Sequence, residues 1–135
     1  MGRIFVGIGF GAIQAGLFLR EAQRSGNFDR YIVAMRRPEI AQAVNRDRTV
    51  TVNIAMPAGI AVETYTNIDA RCLSVAADIL RLEQDMLAAH EISVAVSSVS
   101  DYVSDHPDSL HRLIARAVMG KLAGAGPKVL IYSSE

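Results

Sequence analysis

The sequence predicts an α/β fold in which a mostly parallel sheet is doubly wound, with helices on both faces. Short runs of consecutive apolar residues, typical of strands covered on both sides, alternate along the chain with helical patterns of ten or more residues. The first apolar run also passes directly into a glycine cluster and then into a helix. With 135 residues, half of them hydrophobic, the chain suits one domain, 1–135, with a single core.

The first half of the chain contains three predicted strands and two predicted helices. Residues 4–8 form an apolar run, and 12–25 follow with small residues at spacings of three and four, which indicates a helix that packs closely on a sheet. Gly26 ends that helix. A second strand at 31–35 precedes Pro38, which suits a helix start, and the alternating residues 49–54 predict a half-exposed strand.

The second half continues the alternation of strands and helices. Between 60 and 75, the apolar residues Val62, Tyr65 and Ile68 indicate one or two edge strands. A helical stripe resumes near Asp78, and 91–96 form the next strand. An amphipathic helix opens at Pro107 and is ended by residues 124–127, after which 129–132 form the last strand.

Composition excludes several classes of protein. Fourteen basic residues balance fourteen acidic ones, so we expect neither nucleic acid nor a membrane surface as a partner. No apolar stretch approaches the ~20 residues that span a bilayer, and a single cysteine, Cys72, fits a reducing cytoplasm. We expect no metal site, because His106 and His111 are most simply solvated residues near a helix start.

The turn after the first strand is the strongest local signal. Glycines there permit unusual backbone angles and the close approach of a phosphate, while the helix N-terminus offers N–H groups and partial positive charge. The segment fits G-x-G-x-x-A through Gly7 and Gly9, or begins G-x-G at Gly9 and Gly11 with Gln14 in the third place. A tight turn without a ligand is the alternative. The candidate cofactor-binding residues here are Gly7, Gly9, Phe10, Gly11, Ala12, Ile13 and Gln14.

The residues after the second strand bear on the choice of nucleotide. In dinucleotide-binding domains of the Rossmann type, a carboxylate at this point holds the ribose 2′-hydroxyl. Here Met35 is followed by Arg36 and Arg37, whose guanidinium groups suit a 2′-phosphate. The sequence therefore favours NADP over NAD, with Arg36 the better candidate; the alternative is that both arginines are solvated surface charges.

Several segments resemble the N-terminal Rossmann domain of the mannitol-1-phosphate and mannitol dehydrogenases, the polyol-specific long-chain dehydrogenases. The resemblance lies in 4–16, with the run Gly9-Phe10-Gly11-Ala12-Ile13, and in 34–54, 92–98 and 129–135. It favours the Gly9/Gly11 register and implies NADP or NAD as cofactor. It also implies hydride transfer on a polyol or sugar phosphate, and it places Ser97 and Ser98 near the ribose and nicotinamide.

The same resemblance implies a helical C-terminal domain that carries the substrate pocket and a catalytic lysine. That domain is expected to be missing from this chain, because Lys121 and Lys128 lie in unmatched contexts; we therefore expect no catalytic residue here and no activity from the chain alone. A homodimer is compatible with this interpretation. Two alternatives stay open: an S-adenosylmethionine-dependent methyltransferase-like domain, which the two arginines disfavour, and a non-catalytic nucleotide-sensing module.

Overall fold

The fold is described for residues 2–134 of a computed structural model; residues 1 and 135 of the expected domain lie outside the described residues. The strands are β1 (Ile4–Ile8), β2 (Arg30–Met35), β3 (Val50–Met56), β4 (Gly59–Tyr65), β5 (Ile68–Cys72), β6 (Glu91–Val94) and β7 (Leu130–Ser133). The helices are α1 (a π-helical segment, Gln14–Leu19, continued by the α-helical Arg20–Ser25), α2 (Pro38–Asp47), α3 (Ala76–Ala88), α4 (Val99–Tyr102) and α5 (Leu110–Leu122).

The main sheet has five strands in the order β5-β2-β1-β6-β7, and all neighbouring pairs are parallel. Strand order therefore reverses between β1 and β6. This is a Rossmann-like α/β arrangement, and the predicted fold class is confirmed.

Two hydrophobic clusters cover the two faces of the sheet, because successive side chains of a strand point to opposite sides. Phe5 of β1 packs into one cluster, with residues from α1, α2 and the β3–β4 hairpin. Val6 and Ile8 of the same strand pack into the other, with residues from α3 and α5. The sheet is thus doubly wound.

The β3–β4 hairpin was not predicted as a unit. The strand expected at 49–54 is present as β3, and the region in which one or two edge strands were expected contains β4 and β5. β3 pairs antiparallel with β4 in a separate two-stranded sheet, while β5 joins the parallel sheet. Arg20 of α1 holds the hairpin through Glu63, with Nε–Oε1 at 2.9 Å and Nη2–Oε2 at 3.2 Å.

The segment after β6 also departs from the prediction. The strand expected to continue through Val96 ends at Val94, because its neighbour β1 ends at Ile8 and the Ala95 N–H makes the last bond to it, at 2.8 Å. The chain then forms the short helix α4. Within residues 2–134, no helix is both long and apolar enough to cross a membrane.

Candidate nucleotide-binding cavity

A cavity of about 330 Å³ opens at the carboxyl ends of the parallel strands. In open α/β sheets this edge, where strand order reverses, is where ligands bind. The lining residues come from the turn after β1, the segments after β2, β5 and β6, and the helices α2, α4 and α5: Gly9, Phe10, Gly11, Met35, Arg36, Arg37, Ile40, Leu73, Ala95, Val96, Ser97, Asp101 and Leu110.

Gly9 is required by the fold itself. Its φ is +83°, and a Cβ at this position would overlap the carbonyl oxygen of Ala95 and lie 2.9 Å from the carbonyl carbon. Its N–H donates a hydrogen bond to the carbonyl oxygen of Ala34 at 3.0 Å. The turn is therefore fixed between the ends of β2 and β6, at a place that only glycine fits without strain.

Gly11 is different, because packing within the protein does not explain its lack of a side chain. Among the described residues, nothing lies within 4 Å of the position that a Cβ would take. Gly11 nevertheless lines the cavity, directly before the first turn of α1. The open space at Gly11 leaves room for a ligand to approach the backbone where the helix presents its first N–H groups.

Gln14 lies beneath the turn and ties α1 to the sheet. Its side chain is fully buried, and its Nε2 donates to the carbonyl oxygens of Ile8 at 3.2 Å and Ser93 at 3.3 Å. The Ser93 hydroxyl in turn donates to Gln14 Oε1 at 2.7 Å. A Cβ at Gly7 would stand 2.7 Å from Gln14 Cδ, so Gly7 makes room for this amide.

The predicted site residues of the turn therefore divide into two groups. Gly9, Phe10 and Gly11 line the cavity, and these include both glycines of the Gly9/Gly11 register. Gly7 and Gln14 are buried structural residues below it. Ala12 and Ile13, the two helical residues that lead into α1, are exposed and lie outside the cavity lining, with Ile13 about half exposed.

Both predicted arginines line the cavity, each with an acidic partner. Arg36 Nη1 is 3.0 Å from Oδ1 of Asp101, and Arg37 Nε is 2.7 Å from Oε1 of Glu39. Both guanidinium groups are largely exposed, with 64% and 69% of their side-chain surface accessible. The end of β2 thus brings two cations to the rim of the cavity.

Asp101 is the charged lining residue that sequence reasoning missed, alongside several apolar ones. Its Oδ2 accepts hydrogen bonds from the hydroxyls of Ser97 at 2.8 Å and Ser98 at 3.2 Å, while Oδ1 faces Arg36. The Ser97 hydrogen bond is the main reason that the pKa of Asp101 lies below its ordinary value, and Ser98 and Arg36 lower it further. A serine followed three residues later by an aspartate often marks a helix start, so Ser98 and Asp101 offered a signal for α4.

The two predicted serines consequently act on Asp101 in this structure. Ser97 lines the cavity, whereas Ser98 borders a neighbouring pocket beside Val99 and Tyr102. Each hydroxyl donates its proton to Asp101. The Ser98 oxygen accepts in turn from the Ser100 hydroxyl at 2.8 Å, whereas the Ser97 oxygen can still accept from a ligand.

The remaining walls of the cavity are apolar. Met35, Ile40, Leu73, Val96 and Leu110 contribute side chains from five segments. An apolar recess with charged groups at its rim suits a ligand that has a flat, poorly hydrated part and an anionic part.

The titratable side chains that line the cavity are Arg36, Arg37 and Asp101, and each is ion-paired. Such a set is better suited to binding a charged ligand than to transferring a proton. No protein-family model and no curated protein sequence matches this chain. Its function must therefore be inferred from the cavity.

Proposed function

We propose that this domain binds a nicotinamide dinucleotide, NADP or NAD, as the cofactor of an oxidoreductase. The observation that carries the proposal is the position of the cavity: it lies at the carboxyl ends of the strands, bordered by the glycine turn and by Arg36. In this arrangement the pyrophosphate lies against Gly9 and Gly11 and faces the N-terminus of α1.

The apolar walls and the arginines support the same orientation of the ligand. The adenine ring is placed among the apolar side chains, and its ribose near Arg36, which can pair with a 2′-phosphate through its fork of N–H donors. A volume of about 330 Å³ lies at the lower end of the ~300–1,000 Å³ typical of ligand sites. It suits the adenosine half of a dinucleotide better than the whole molecule.

The proposed reaction class is hydride transfer on a polyol or sugar phosphate, and it depends on the resemblance to the mannitol dehydrogenases. In such enzymes the cofactor supplies the hydride chemistry, and the protein binds and orients it. We expect binding without turnover from these residues alone, since the titratable groups lining the cavity are held in ion pairs. Gly9, Gly11 and Arg36 therefore have binding roles in the proposal.

Valine at Gly11 tests the proposed position of the pyrophosphate, with valine at Gly16 as a matched control. Among the described residues, no atom lies within 4 Å of the position that a Cβ would take at either glycine, and Gly16 lies on α1 away from the cavity lining. We expect Gly11→Val to weaken NADP and NAD binding at least tenfold, because its side chain fills the path to the backbone. Gly16→Val should bind as the wild type does.

Calorimetric titration and a thermal melt of each variant make the comparison. Equal affinity of Gly11→Val and the wild type, with both folded, would remove the pyrophosphate from this turn. Loss of binding in both valine variants would point to a general effect on α1 and would also count against the proposed contact.

A further inference from the structure

The ion pair between Arg36 and Asp101 spans the end of β1. Arg36 follows β2 and Asp101 lies in α4, after β6, and these two strands are the neighbours of β1 on either side. The guanidinium and carboxylate meet at 3.0 Å, and both residues line the cavity. Any ligand that lies over the glycine turn therefore passes close to this pair.

The two partners are held very differently. Asp101 has 22% of its side-chain surface exposed and accepts from three donors, Ser97, Ser98 and Arg36. Arg36 is 64% exposed, and its Nη1 is 3.0 Å from the Asp101 carboxylate. A carboxylate accepts about four hydrogen bonds, so Asp101 has little accepting capacity left for a ribose hydroxyl. Its remaining influence on a ligand is its charge.

We infer that Asp101 is a specificity-determining residue, which lowers the affinity for a 2′-phosphorylated adenosine ribose by neutralising Arg36. This inference rests on the proposed dinucleotide site. A 2′-phosphate that approaches Arg36 meets an ion pair instead of an isolated cation, and it must displace Asp101 to bind the guanidinium group. A ribose with a free 2′-hydroxyl does not need Arg36 as a cation, so NAD is affected much less than NADP.

Arg37 does not have the same role, although it also lines the cavity. Its partner Glu39 is two residues away in the chain, and 60% of the Glu39 side chain is exposed. Such a local, solvated pair is weak and strongly screened by salt. The Arg36–Asp101 pair, which joins the segments that follow β2 and β6, is the one positioned to influence the ligand.

Neutralising Asp101 tests this inference. We expect Asp101→Asn to raise the ratio of NADP affinity to NAD affinity about tenfold, because Arg36, once unpaired, attracts a phosphate several ångströms away with its full charge at a partly solvated site. Asparagine keeps the shape of the side chain and can still accept from Ser97 and Ser98. Asp101→Glu keeps the charge, so the ratio of NADP affinity to NAD affinity should stay within about threefold of the wild-type ratio.

Two further variants separate this effect from a general change in charge. Asp105→Asn alters the net charge equally at an exposed residue outside the cavity lining, and it should leave the ratio unchanged. In Arg36→Met the NADP affinity should fall. Adding Asp101→Asn to that variant should raise the ratio of NADP affinity to NAD affinity by less than about threefold, because Arg36 is no longer present to be neutralised. Affinities are measured by calorimetry with NADP and NAD, alongside thermal melts.

The outcomes distinguish this inference from the proposed function. If the wild type binds neither nucleotide, the proposed function fails and the inference fails with it. If the wild type binds and Asp101→Asn leaves the ratio unchanged, the inference is overturned while the proposed function stands. An equal gain in the Arg36→Met background would show that Asp101 does not act through Arg36 and would also overturn it.

Discussion

Gly9 and Gly11 stand two residues apart on one turn, yet alanine at each should have very different effects on stability. At Gly9 the new side chain would be forced into a left-handed backbone conformation and into the Ala95 carbonyl group. The conformation costs about 1–2 kcal/mol and the overlap typically about 1–3 kcal/mol. Gly9→Ala should therefore lower the free energy of unfolding by about 2–5 kcal/mol, a large part of the ~5–15 kcal/mol of a small domain.

Gly26 separates the two contributions. It also has a positive φ, +66°, but among the described residues nothing lies within 4 Å of its Cβ position. Gly26→Ala should thus show the conformational cost alone, about 1–2 kcal/mol. Gly11→Ala meets neither difficulty, and its effect should stay within about 0.5 kcal/mol.

Urea unfolding followed by far-ultraviolet circular dichroism measures all three variants on one scale. The expected order of stability is Gly11→Ala, then Gly26→Ala, then Gly9→Ala, with equal m-values. If Gly9→Ala is no less stable than Gly26→Ala, the contact between the turn and Ala95 does not constrain the fold. If Gly11→Ala is as destabilised as Gly9→Ala, the interpretation of Gly11 as a position kept open for a ligand is wrong.

Two further changes test the contacts that hold α1 in place. Gln14→Leu should cost about 1–3 kcal/mol, because it leaves the buried Ser93 hydroxyl without its acceptor; an unchanged urea midpoint would contradict this. The Arg20 hydrogen bond holds the pKa of Glu63 below its ordinary value of 4.5, so its stabilising effect is complete above that pH and is lost as the pH falls through the lowered pKa. The stability difference between wild type and Arg20→Met, measured by urea unfolding, should therefore shrink as the pH falls below 4.5; a constant difference would refute the assignment.

The sequence was sufficient for the main sheet because its signals are local. The apolar run at β1, the glycines that follow it and Pro38 at the first position of α2 each report on their own neighbourhood, and the structure has these elements where the sequence predicts them. Gly26 ends α1 in the left-handed conformation, as expected. Parallel strands joined by helices then leave few ways to arrange the sheet.

Three features were missed, and each has its own reason. The spacing of apolar residues in α1 is compatible with α- or π-helical bonding, so it did not reveal the π-helical segment Gln14–Leu19. The pairing of β3 with β4 depends on how the chain turns at residues 57–58. Arg36 and Asp101 are far apart in the chain, and only the order of the strands brings them together.

The candidate site could likewise be predicted only where its signals are local. The glycine turn and the two arginines carry chemical signals that can be interpreted in one dimension, and Gly9, Gly11 and Arg36 do meet at one cavity. The burial of Gln14 was not foreseen, since its partner Ser93 lies on β6. A polar residue on a helix start has the same appearance in sequence whether it faces a ligand or the core.

Titration of the wild-type chain with NADP, NAD and S-adenosylmethionine in parallel tests the central claim most directly. We predict saturable binding of at least one of the two nicotinamide dinucleotides, at one site per chain, and no comparable binding of S-adenosylmethionine. Binding of S-adenosylmethionine alone, or of none of the three, would contradict the proposal that this cavity holds a nicotinamide dinucleotide.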